Sequence, residues 1–343
     1  MFSLDGEILR EGTLAAERLA ALRKEAVEIV VFVPDGAGSR QSQFLRLWKS
    51  ARRAFIEDKF DIVTVQDTAY LALLAYLVAR RFHASLEVQV HGFEKLHCIR
   101  KMIAGFVLRR ADKVRVVSQR LMQLAVDFGA SAEKVYVLPV YTQTTSTPLA
   151  PLGVLPLRKG GEAEGNAFTF LTVGRLVPVK NIAMQIRALA RIVREFPQAR
   201  LRIVGSGILE WWLKSQVKSL KSENRVVFEG QQKDLALFYE EADAFLLTSD
   251  SEGWGVAVVE AAAYGLPIIM TDVGCAGEFI QNGENGIVIP IGGEGELAAA
   301  MERFIVDEPL RVRLGEAARA SFFALPSPQA HIQKQAAEWR TLL

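Results

Sequence analysis

Short runs of apolar, β-branched residues alternate with helical stretches over almost the whole chain, and the alternation falls into two series. Since parallel strands need a crossover connection, usually a helix, this order predicts parallel sheets with helices on both faces. The first series has candidate strands at Glu28–Val33, Asp61–Val65, Leu86–Val90, Lys113–Val117 and Val135–Leu138. The second has them at Thr169–Val173, Arg200–Val204, Val226–Glu229, Ala244–Leu247, Ile268–Thr271 and Gly286–Ile289. The sequence therefore predicts an α/β protein with two doubly wound, Rossmann-like halves.

Between the two series, residues 142–166 lose this periodicity and are rich in Thr, Pro, Gly and Leu. We therefore predict four parts, namely an N-terminal domain over 1–145, a linker or loop over 146–166, a C-terminal domain over 167–325 and a C-terminal helix over 326–343. A return of that helix to the first domain is left open. A short helix is also predicted at Gly277–Gln281. Because doubly wound sheets bind ligands at the carboxyl ends of their strands, a cleft between two facing halves is the expected active site.

Composition excludes several classes of protein. The 343 residues suffice for two domains, and 50% hydrophobic with 23% charged residues is a globular composition. The formal charge of +2 does not favour nucleic-acid binding, although residues 1–150 hold 21 basic and 16 acidic side chains and the remainder 20 and 23. No signal peptide and no apolar run of about 18 residues is visible. Cys98 and Cys275 are far apart and are interpreted as free thiols, so a cytoplasmic protein is expected.

One segment of the second half, Ser249–Pro267 (SDSEGWGVAVVEAAAYGLP), combines two carboxylates with a glycine-containing helix start. Gly253 and Gly255 open the backbone to a close ligand, and the N-terminus of the following helix favours an anion such as a phosphate. Glu252 and Glu260 can then accept hydrogen bonds from sugar and ribose hydroxyls. The alternative is a tight turn with two solvated glutamates. Packing alone does not explain two carboxylates eight positions apart, so we favour a ligand site.

A second segment, Val173–Asn181 (VGRLVPVKN), joins a candidate strand to a helix and carries two cations on a short loop. Arg175 and Lys180 can both point to one place, where they would neutralise a diphosphate leaving group. The alternative is a loop with two solvated charges.

Four stretches of the second half together carry a resemblance to a known family. They are Gly174–Lys180 (GRLVPVK), Val204–Gly207 (VGSG), Ser251–Ile269 (SEGWGVAVVEAAAYGLPII) and Gly283–Pro290 (GENGIVIP). In this order they resemble the retaining glycosyltransferases of family GT4, over nearly all of residues 168–305. The resemblance implies the GT-B fold, with two facing Rossmann-like domains and an interdomain cleft, and a nucleotide-diphosphate sugar as donor.

The resemblance also implies roles for single residues. Glu252 would hold the donor sugar and Glu260 the ribose, while the diphosphate would lie between Arg175 and Lys180. Gln232 would lie beside the base, and the backbone of residues 253–255 would bind phosphate and sugar. The implied catalytic set is His91, Arg175, Lys180 and Glu252. The implied nucleotide-sugar set is Gly174, Gly207, Gln232, Gly253, Trp254, Gly255, Val256 and Glu260.

The first half resembles the family less strongly. His91 follows a candidate strand, and by resemblance it would lie near the donor sugar; the alternative is a capping or loop histidine. Where relatives have a first strand and a glycine-rich loop, this chain has Phe2–Asp5 with only Gly6 and Gly12 nearby. The first strand is therefore expected to be short or absent. Pro139–Tyr141 stands where relatives carry Pro-Asn-Gly, so no role is carried over to it.

Other kinds of site are not indicated. The sequence has no G-x-G-x-x-G after a first strand, no phosphate-binding G-x-x-x-x-G-K-[ST], no Asp-x-Asp and no G-x-S-x-G, and its four histidines lack metal-ligand spacing. We therefore predict a metal-independent enzyme without a cofactor other than its nucleotide-sugar co-substrate.

These observations predict a retaining glycosyltransferase that moves a sugar from a nucleotide-diphosphate sugar to a glycan or lipid-linked acceptor, in envelope or surface polysaccharide synthesis. Two alternatives stay open. They are a nucleotide-sugar epimerase of the same fold and a catalytically silent nucleotide-sugar-binding subunit of another transferase. A phosphorylase on the same two-domain plan would need pyridoxal phosphate on a lysine, and nothing in the sequence points to one. An epimerase would form product from the donor alone.

The predicted helix at residues 43–59 has an apolar and a basic side. The apolar side carries Phe44, Trp48, Ala51 and Phe55, and the basic positions are Arg46, Lys49, Arg52 and Arg53, with more charge at Lys95, Arg100, Lys101, Arg109 and Arg110. One interpretation is peripheral contact with an anionic inner membrane face, where a lipid-linked acceptor would lie. The other, slightly favoured, is that the aromatic side chains face the sheet.

Overall fold

The computed structural model describes residues 1–3, 9–11, 13–25, 29–34, 39–93, 98–140 and 167–343. The chain divides into two compact units, unit 1 (Met1–Tyr141 with Pro326–Leu343) and unit 2 (Thr142–Leu325). Unit 2 is thus inserted into the sequence of unit 1. The predicted linker at 146–166, Lys95, and the glycines at 6 and 12 lie outside the described residues.

Unit 1 is built on a parallel sheet. Before the insertion its elements are α1 (Leu14–Glu25), α2 (Arg40–Glu57), β1 (Ile62–Val65), α3 (Tyr70–Phe82), β2 (Ser85–Val90), α4 (Cys98–Leu108), β3 (Lys113–Val116), α5 (Gln119–Asp127) and β4 (Val135–Val137). The strands pair in the order β1-β2-β3-β4. Phe2 forms parallel bridges with Phe32 on one side and Val65 on the other. Among residues 1–3 only Phe2 pairs in this way, and within residues 29–34 the predicted strand Glu28–Val33 is reduced to the bridge at Phe32.

Unit 2 contains a larger parallel sheet with every strand that was predicted for this half. Its elements are β5 (Phe168–Val173), α6 (Ile182–Ile192), β6 (Ala199–Val204), α7 (Glu210–Ser219), β7 (Val226–Gly230), α8 (Ala236–Glu240), β8 (Ala244–Leu247), α9 (Val256–Ala263), β9 (Ile268–Thr271), β10 (Ile287–Ile289), α10 (Glu294–Val306) and α11 (Glu308–Phe323). The strand order is β10-β9-β8-β5-β6-β7.

The order of this sheet decides where a ligand can bind. Strands β8 and β9 are buried at every position, as expected of parallel strands that helices cover on both faces. Strand β5 pairs with both β6 and β8, although β6 and β7 intervene in the sequence. The direction of winding therefore reverses between β5 and β8. In such sheets the reversal opens a crevice at the carboxyl ends of the two strands.

Two local expectations need correction. The helix predicted at Gly277–Gln281 is wrong: this stretch forms turns with bridges at Ala276–Ile280 and Asn282–Gly286, and Gly277 has a φ of 78°, which a right-handed helix excludes. Helix α11 was not predicted. Asp307 caps its N-terminus, since the Asp307 side chain accepts a hydrogen bond from the Leu310 amide, and a proline stands in the first turn.

The last helix, α12 (Pro328–Arg340), packs in unit 1. Its Trp339 donates from Nε1 to Oε2 of Glu87 on β2, at 2.9 Å. Glu87 is fully buried, and its carboxylate also accepts hydrogen bonds from Thr64 and Tyr136. On β3, Lys113 forms an ion pair with Glu338. Strands that are distant in sequence from α12 therefore hold the end of the chain in place.

Candidate functional site

The carboxyl ends of β5 and β8 lie side by side, and the loops that leave them carry a cation and a carboxylate. Lys180 comes from the loop after β5 and Glu252 from the loop after β8, and Nζ of the lysine forms an ion pair with Oε1 of the glutamate. The two side chains are 22% and 13% exposed. The fold thus joins, at the carboxyl ends of β5 and β8, two residues that are 72 positions apart in the sequence.

The loop that carries Lys180 is tied to the end of β8. It makes a 3₁₀ turn at Pro178–Lys180, and the next residue, Asn181, has a φ of 45°. Asn181 donates from Nδ2 to Asp250, and its carbonyl accepts from the Thr248 hydroxyl at 3.1 Å. The Asp250 amide in turn donates to the Val179 carbonyl at 2.8 Å. These bonds fix the loop, so the position of Lys180 is set before a ligand arrives.

Glu252 is oriented by a buried serine. Ser249, 1% exposed, donates its hydroxyl proton to Oε1 of Glu252 at 2.6 Å, and the Ser249 carbonyl accepts from Thr271 at 2.6 Å. Both Ser249 and Lys180 bind Oε1 of Glu252. The other oxygen, Oε2, has no hydrogen-bond partner among the described residues. That oxygen can accept a hydrogen bond from a sugar hydroxyl.

Glu260 on α9 has an orienting partner of its own. Tyr239, 2% exposed, donates its hydroxyl proton to Oε2 of Glu260 at 2.7 Å, and its ring stacks on Tyr264 at 5.2 Å. Burial raises the pKa of Glu260, and the hydrogen bond from Tyr239 opposes that rise. Burial and the Glu260 charge hold the pKa of Tyr239 well above its ordinary value, so the hydroxyl stays a donor. Oε1 of Glu260 has no partner within the described parts of the chain.

Sequence analysis did not find Tyr239 or Ser249. A buried tyrosine hydroxyl usually needs a partner, which is the one signal available in the sequence, but the pattern does not say which carboxylate it meets. Ser249 directly precedes the acidic segment, and only the bend of the loop brings it onto Glu252.

The turn before α9 depends on close backbone packing. Gly255 precedes the helix with a φ of 100°. A Cβ at Gly274, whose φ is 57°, would lie 2.5 Å from the Trp254 carbonyl oxygen and 2.9 Å from Cβ of Glu252. The Trp254 indole is buried, so at the surface this residue offers its backbone. The turn of residues 252–255 is thus pressed against Gly274, and Val256 follows it as the partly exposed first residue of α9.

Further predicted residues lie around the same loops. Arg175 is exposed on the loop of Lys180. Gly174 lies against the stem of that lysine, since a Cβ there would be 3.7 Å from Cε of Lys180. A Cβ at Gly207 would lie 2.5 Å from the Leu176 carbonyl oxygen. Gly207 therefore lets the loop after β6 pack on the loop after β5, a shaping role that needs no ligand.

Two more predicted residues, Gln232 and His91, follow other strands. Gln232 is exposed after β7 and donates from Nε2 to the Glu229 carbonyl at 2.7 Å. His91 is the first residue after β2 of unit 1 and is exposed. Both stand at carboxyl ends of strands, and their ligand contacts stay predictions.

Helix α2 turns its apolar side toward the rest of unit 1. Ala51 is buried, and the ring of Phe55 stacks on Phe82 at 4.7 Å, while Phe44 and Trp48 are partly buried. The outward positions combine two exposed apolar residues with basic ones, namely Leu45, Ile56, Arg46, Lys49, Arg52 and Arg53. The aromatic stripe thus serves packing, and the outer face is basic.

No three His, Cys, Asp or Glu side chains of the described residues come together as a metal site. Within the same residues, no helix combines the length and apolarity that crossing a bilayer requires. Cys275 is buried, and burial raises the pKa of its thiol, whereas Cys98 is exposed.

Comparison with known proteins gives matches over both units. A family model described as Glycosyltransferase Family 4 matches residues 10–140, and one described as Glycosyl transferases group 1 matches residues 156–321. An uncharacterized glycosyltransferase of Haemophilus influenzae is 28% identical over 311 residues, which cover 89% of this chain and 82% of that protein.

Two further similar proteins carry names. The N-acetyl-alpha-D-glucosaminyl L-malate synthase of Bacillus anthracis is 36% identical over 145 residues, 42% of this chain; the match spans only 38% of that protein. The crystal structure of Anabaena HepE in complex with UDP and glucose has a TM-score of 0.79 at 21% identity and covers 100% of this chain and 99% of that one. At this identity the structural similarity shows the fold.

Proposed function

Because the chain belongs to glycosyltransferase family 4 and has the GT-B fold, we propose that it transfers a sugar, with retention of configuration, from a nucleoside-diphosphate sugar bound by unit 2. The observation that carries this proposal is the Lys180–Glu252 ion pair at the crevice between β5 and β8. The comparisons give no support to the epimerase alternative.

The site offers a partner for each part of such a donor. An ammonium group has three donors, so Lys180 keeps two for a diphosphate after it has bonded Glu252. Arg175 on the same loop and the N-terminus of α9 add positive potential. The open oxygen of Glu260 suits a ribose hydroxyl, and that of Glu252 a hydroxyl of the transferred sugar. HepE was crystallised with UDP and glucose, so UDP is the first nucleotide to test here.

The proposed chemistry follows from where charge develops. The bond between the anomeric carbon and the diphosphate oxygen breaks, and negative charge grows on the leaving phosphate, which Lys180 and Arg175 stabilise. The acceptor hydroxyl attacks the same face of the sugar and passes its proton to that phosphate. The products are the glycoside and the nucleoside diphosphate. Glu252 serves as a holding group, since its Oε1 is already bonded to Lys180 and Ser249.

The acceptor is proposed to be a glycan or a lipid-linked sugar of an envelope or surface polysaccharide. The outer face of α2 motivates this choice, because Lys49 and Arg52 stand between the exposed Leu45 and Ile56. Such a mixture of basic and apolar groups suits peripheral contact with an anionic membrane.

Thermal unfolding with added nucleotide tests the proposal. We expect UDP or GDP to raise the melting temperature and EDTA to leave that rise unchanged. A rise that EDTA abolishes would show that a metal takes part. The purified chain should then release nucleoside diphosphate from the matching donor when acceptor is present. Stabilisation without turnover on any acceptor extract would favour the silent nucleotide-sugar-binding subunit instead.

A further inference from the structure

Helix α7 of unit 2 presents large apolar side chains to solvent at its start. Ile208 is 83% exposed, Trp211 80% and Trp212 40%, all within five consecutive residues. Exposed apolar clusters of this kind mark protein or membrane contact sites, since a solitary soluble surface gains nothing from them. The opposite face of the helix is already used, because Leu213 and Val217 are buried in the core of unit 2.

The loop before α7 fixes this exposure. The Leu176 amide donates to the Ser206 carbonyl at 2.9 Å, and the Leu209 amide donates to the Leu176 carbonyl at 3.0 Å. Gly207 packs against the same carbonyl oxygen. Backbone bonds on both sides therefore fix the path of the loop from which Ile208 projects.

Basic residues continue the exposed face. Within α7, Trp211, Lys214 and Lys218 follow one another at spacings of three and four, so they share a face, while Lys221 lies just beyond the end of the helix. Lys214 forms an ion pair with Glu210 at 2.8 Å, so the net positive charge of this face rests on Lys218 and Lys221. Residues 208–225 carry four basic and two acidic side chains, whereas residues 167–325 as a whole carry 16 basic and 20 acidic ones. A local positive charge therefore accompanies the apolar cluster in an otherwise acidic part of the chain.

We propose that this face of α7, made of Ile208, Trp211, Trp212, Lys214, Lys218 and Lys221, docks on an anionic lipid bilayer. Tryptophan is favoured at the boundary between headgroups and acyl chains, and lysine is attracted to anionic headgroups. A bilayer satisfies both the apolar and the basic residues.

The position of the face relates it to the donor site of the same unit. Helix α7 begins at the carboxyl edge of the sheet, the edge from which the Lys180 and Glu252 loops leave. A docked bilayer would therefore adjoin the donor-site edge, where an acceptor carried on a lipid is within reach. Docking of α7 on a bilayer goes beyond the proposed function, since nucleotide binding by unit 2 does not depend on that docking.

Vesicle co-sedimentation tests the proposal with the full chain. The vesicles are phosphatidylcholine alone, or phosphatidylcholine and phosphatidylglycerol in equal parts, each at low and high salt. We expect retention on the anionic vesicles only, weaker at high salt. The double variant Lys218→Glu/Lys221→Glu should lower the partition coefficient at least about 30-fold, and Ile208→Ser/Trp211→Ser should lower it as well, although the basic face of α2 is intact in both. Leu237→Ser, 64% exposed on α8, is the matched control and should bind like the wild type.

Three results would overturn the inference. One is equal retention of the wild type and the α7 variants on anionic vesicles. This includes the case in which charge reversal on α2, at Arg46, Lys49 and Arg52, is the only change that removes binding. Another is equal retention on neutral vesicles. The third is a dimer in sedimentation velocity that Ile208→Ser/Trp211→Ser dissociates. In each variant UDP must still raise the melting temperature, which separates loss of docking from loss of the donor site.

Discussion

Lys180 is the residue on which the proposed donor site depends most. Its ammonium group is fixed by a structured loop and by Glu252. In the proposed reaction its charge is therefore in place before the bond between the sugar and the diphosphate breaks. We expect Lys180→Ala to lower kcat by about 10²–10³, the usual loss when one pre-organised donor is removed. Steady-state kinetics measure this, with Arg191→Ala on α6, an exposed cation beyond the site, as the control. Near-normal turnover of Lys180→Ala would place the diphosphate elsewhere.

Alanine substitution of the two glutamates should change different kinetic constants. Contacts to the ribose stay the same through the reaction, so Glu260→Ala should raise the KM for donor about tenfold or more with little change in kcat. The sugar changes as its bond breaks, so Glu252→Ala should mainly lower kcat. Kinetics with varied donor separate the two effects, and the reverse pattern would exchange the assigned roles.

We expect Tyr239 to set the pH range in which Glu260 can accept a hydrogen bond from the proposed donor. Burial raises the pKa of Glu260, and the Tyr239 hydrogen bond lowers it, so Tyr239→Phe should raise that pKa further. Glu260 accepts best as a carboxylate, and donor affinity therefore falls as pH drops through its pKa. In Tyr239→Phe we expect that fall to begin at a higher pH than in the wild type. Calorimetric titration of UDP across the acidic range measures it.

Tyr264→Phe is the matched control for that titration, because it removes the hydroxyl of the ring that stacks on Tyr239 and leaves the bond to Glu260. If the affinity profiles of Tyr239→Phe and wild type coincide, Tyr239 does not act through the charge of Glu260.

At the scale of elements, the sequence predicts well those strands and helices that a short stretch of residues determines. Strands β8 and β9 are continuous apolar runs because helices cover both faces, and such runs are visible directly. The carboxyl ends of the strands then locate Lys180 and Glu252. The GT-B fold and the family are confirmed by the comparisons. By contrast, the Tyr239–Glu260 bond joins two helices through side-chain packing, which no periodicity encodes.

The turn at residues 252–255 gives a prediction about backbone packing. Gly274→Ala adds a methyl group that would lie 2.5 Å from the Trp254 carbonyl oxygen, at a φ of 57°. The turn must shift, so we expect a loss of about 1–3 kcal/mol in the free energy of unfolding and weaker UDP binding. Gly292→Ala is the control, since Gly292 has a φ of 75° with nothing near its Cβ position.

The comparison of the two variants by chemical denaturation isolates the contact from the cost of the positive φ. If both lose the same stability and Gly274→Ala binds UDP like the wild type, the close packing of this turn does not position Glu252.

At the scale of the whole molecule, the chain leaves unit 1 for unit 2 and its last residues belong to unit 1 again. Composition and periodicity describe α12 only as a helix, because its partners lie on strands more than 200 residues earlier. The buried Arg115 shows the dependence: its guanidinium donates to Gln89 on β2 and to Gln335 on α12. Burial lowers the pKa of Arg115 to about 9, so the guanidinium stays charged at neutral pH, and the two glutamines supply acceptors for this buried charge.

Trp339 tests how far unit 1 depends on this last helix. The indole is 7% exposed, packs with Leu22 and Ile332, and donates to the buried Glu87 carboxylate. Trp339→Ala leaves a cavity, so we expect a loss of about 3–5 kcal/mol in the free energy of unfolding of unit 1. Trp339→Phe keeps most of the bulk and should lose about 1–3 kcal/mol for the missing donor.

Leu343→Ala, at the 79% exposed end of the same segment, should be neutral. The proposed donor site lies in unit 2, so the expected UDP-dependent rise in melting temperature should survive in Trp339→Ala at temperatures where unit 2 stays folded. Circular dichroism melts with and without UDP follow both quantities. A stability of Trp339→Ala equal to that of Leu343→Ala would mean that the sheet of unit 1 is stable without the indole, because Thr64, Gln89 and Tyr136 would then satisfy the Glu87 carboxylate.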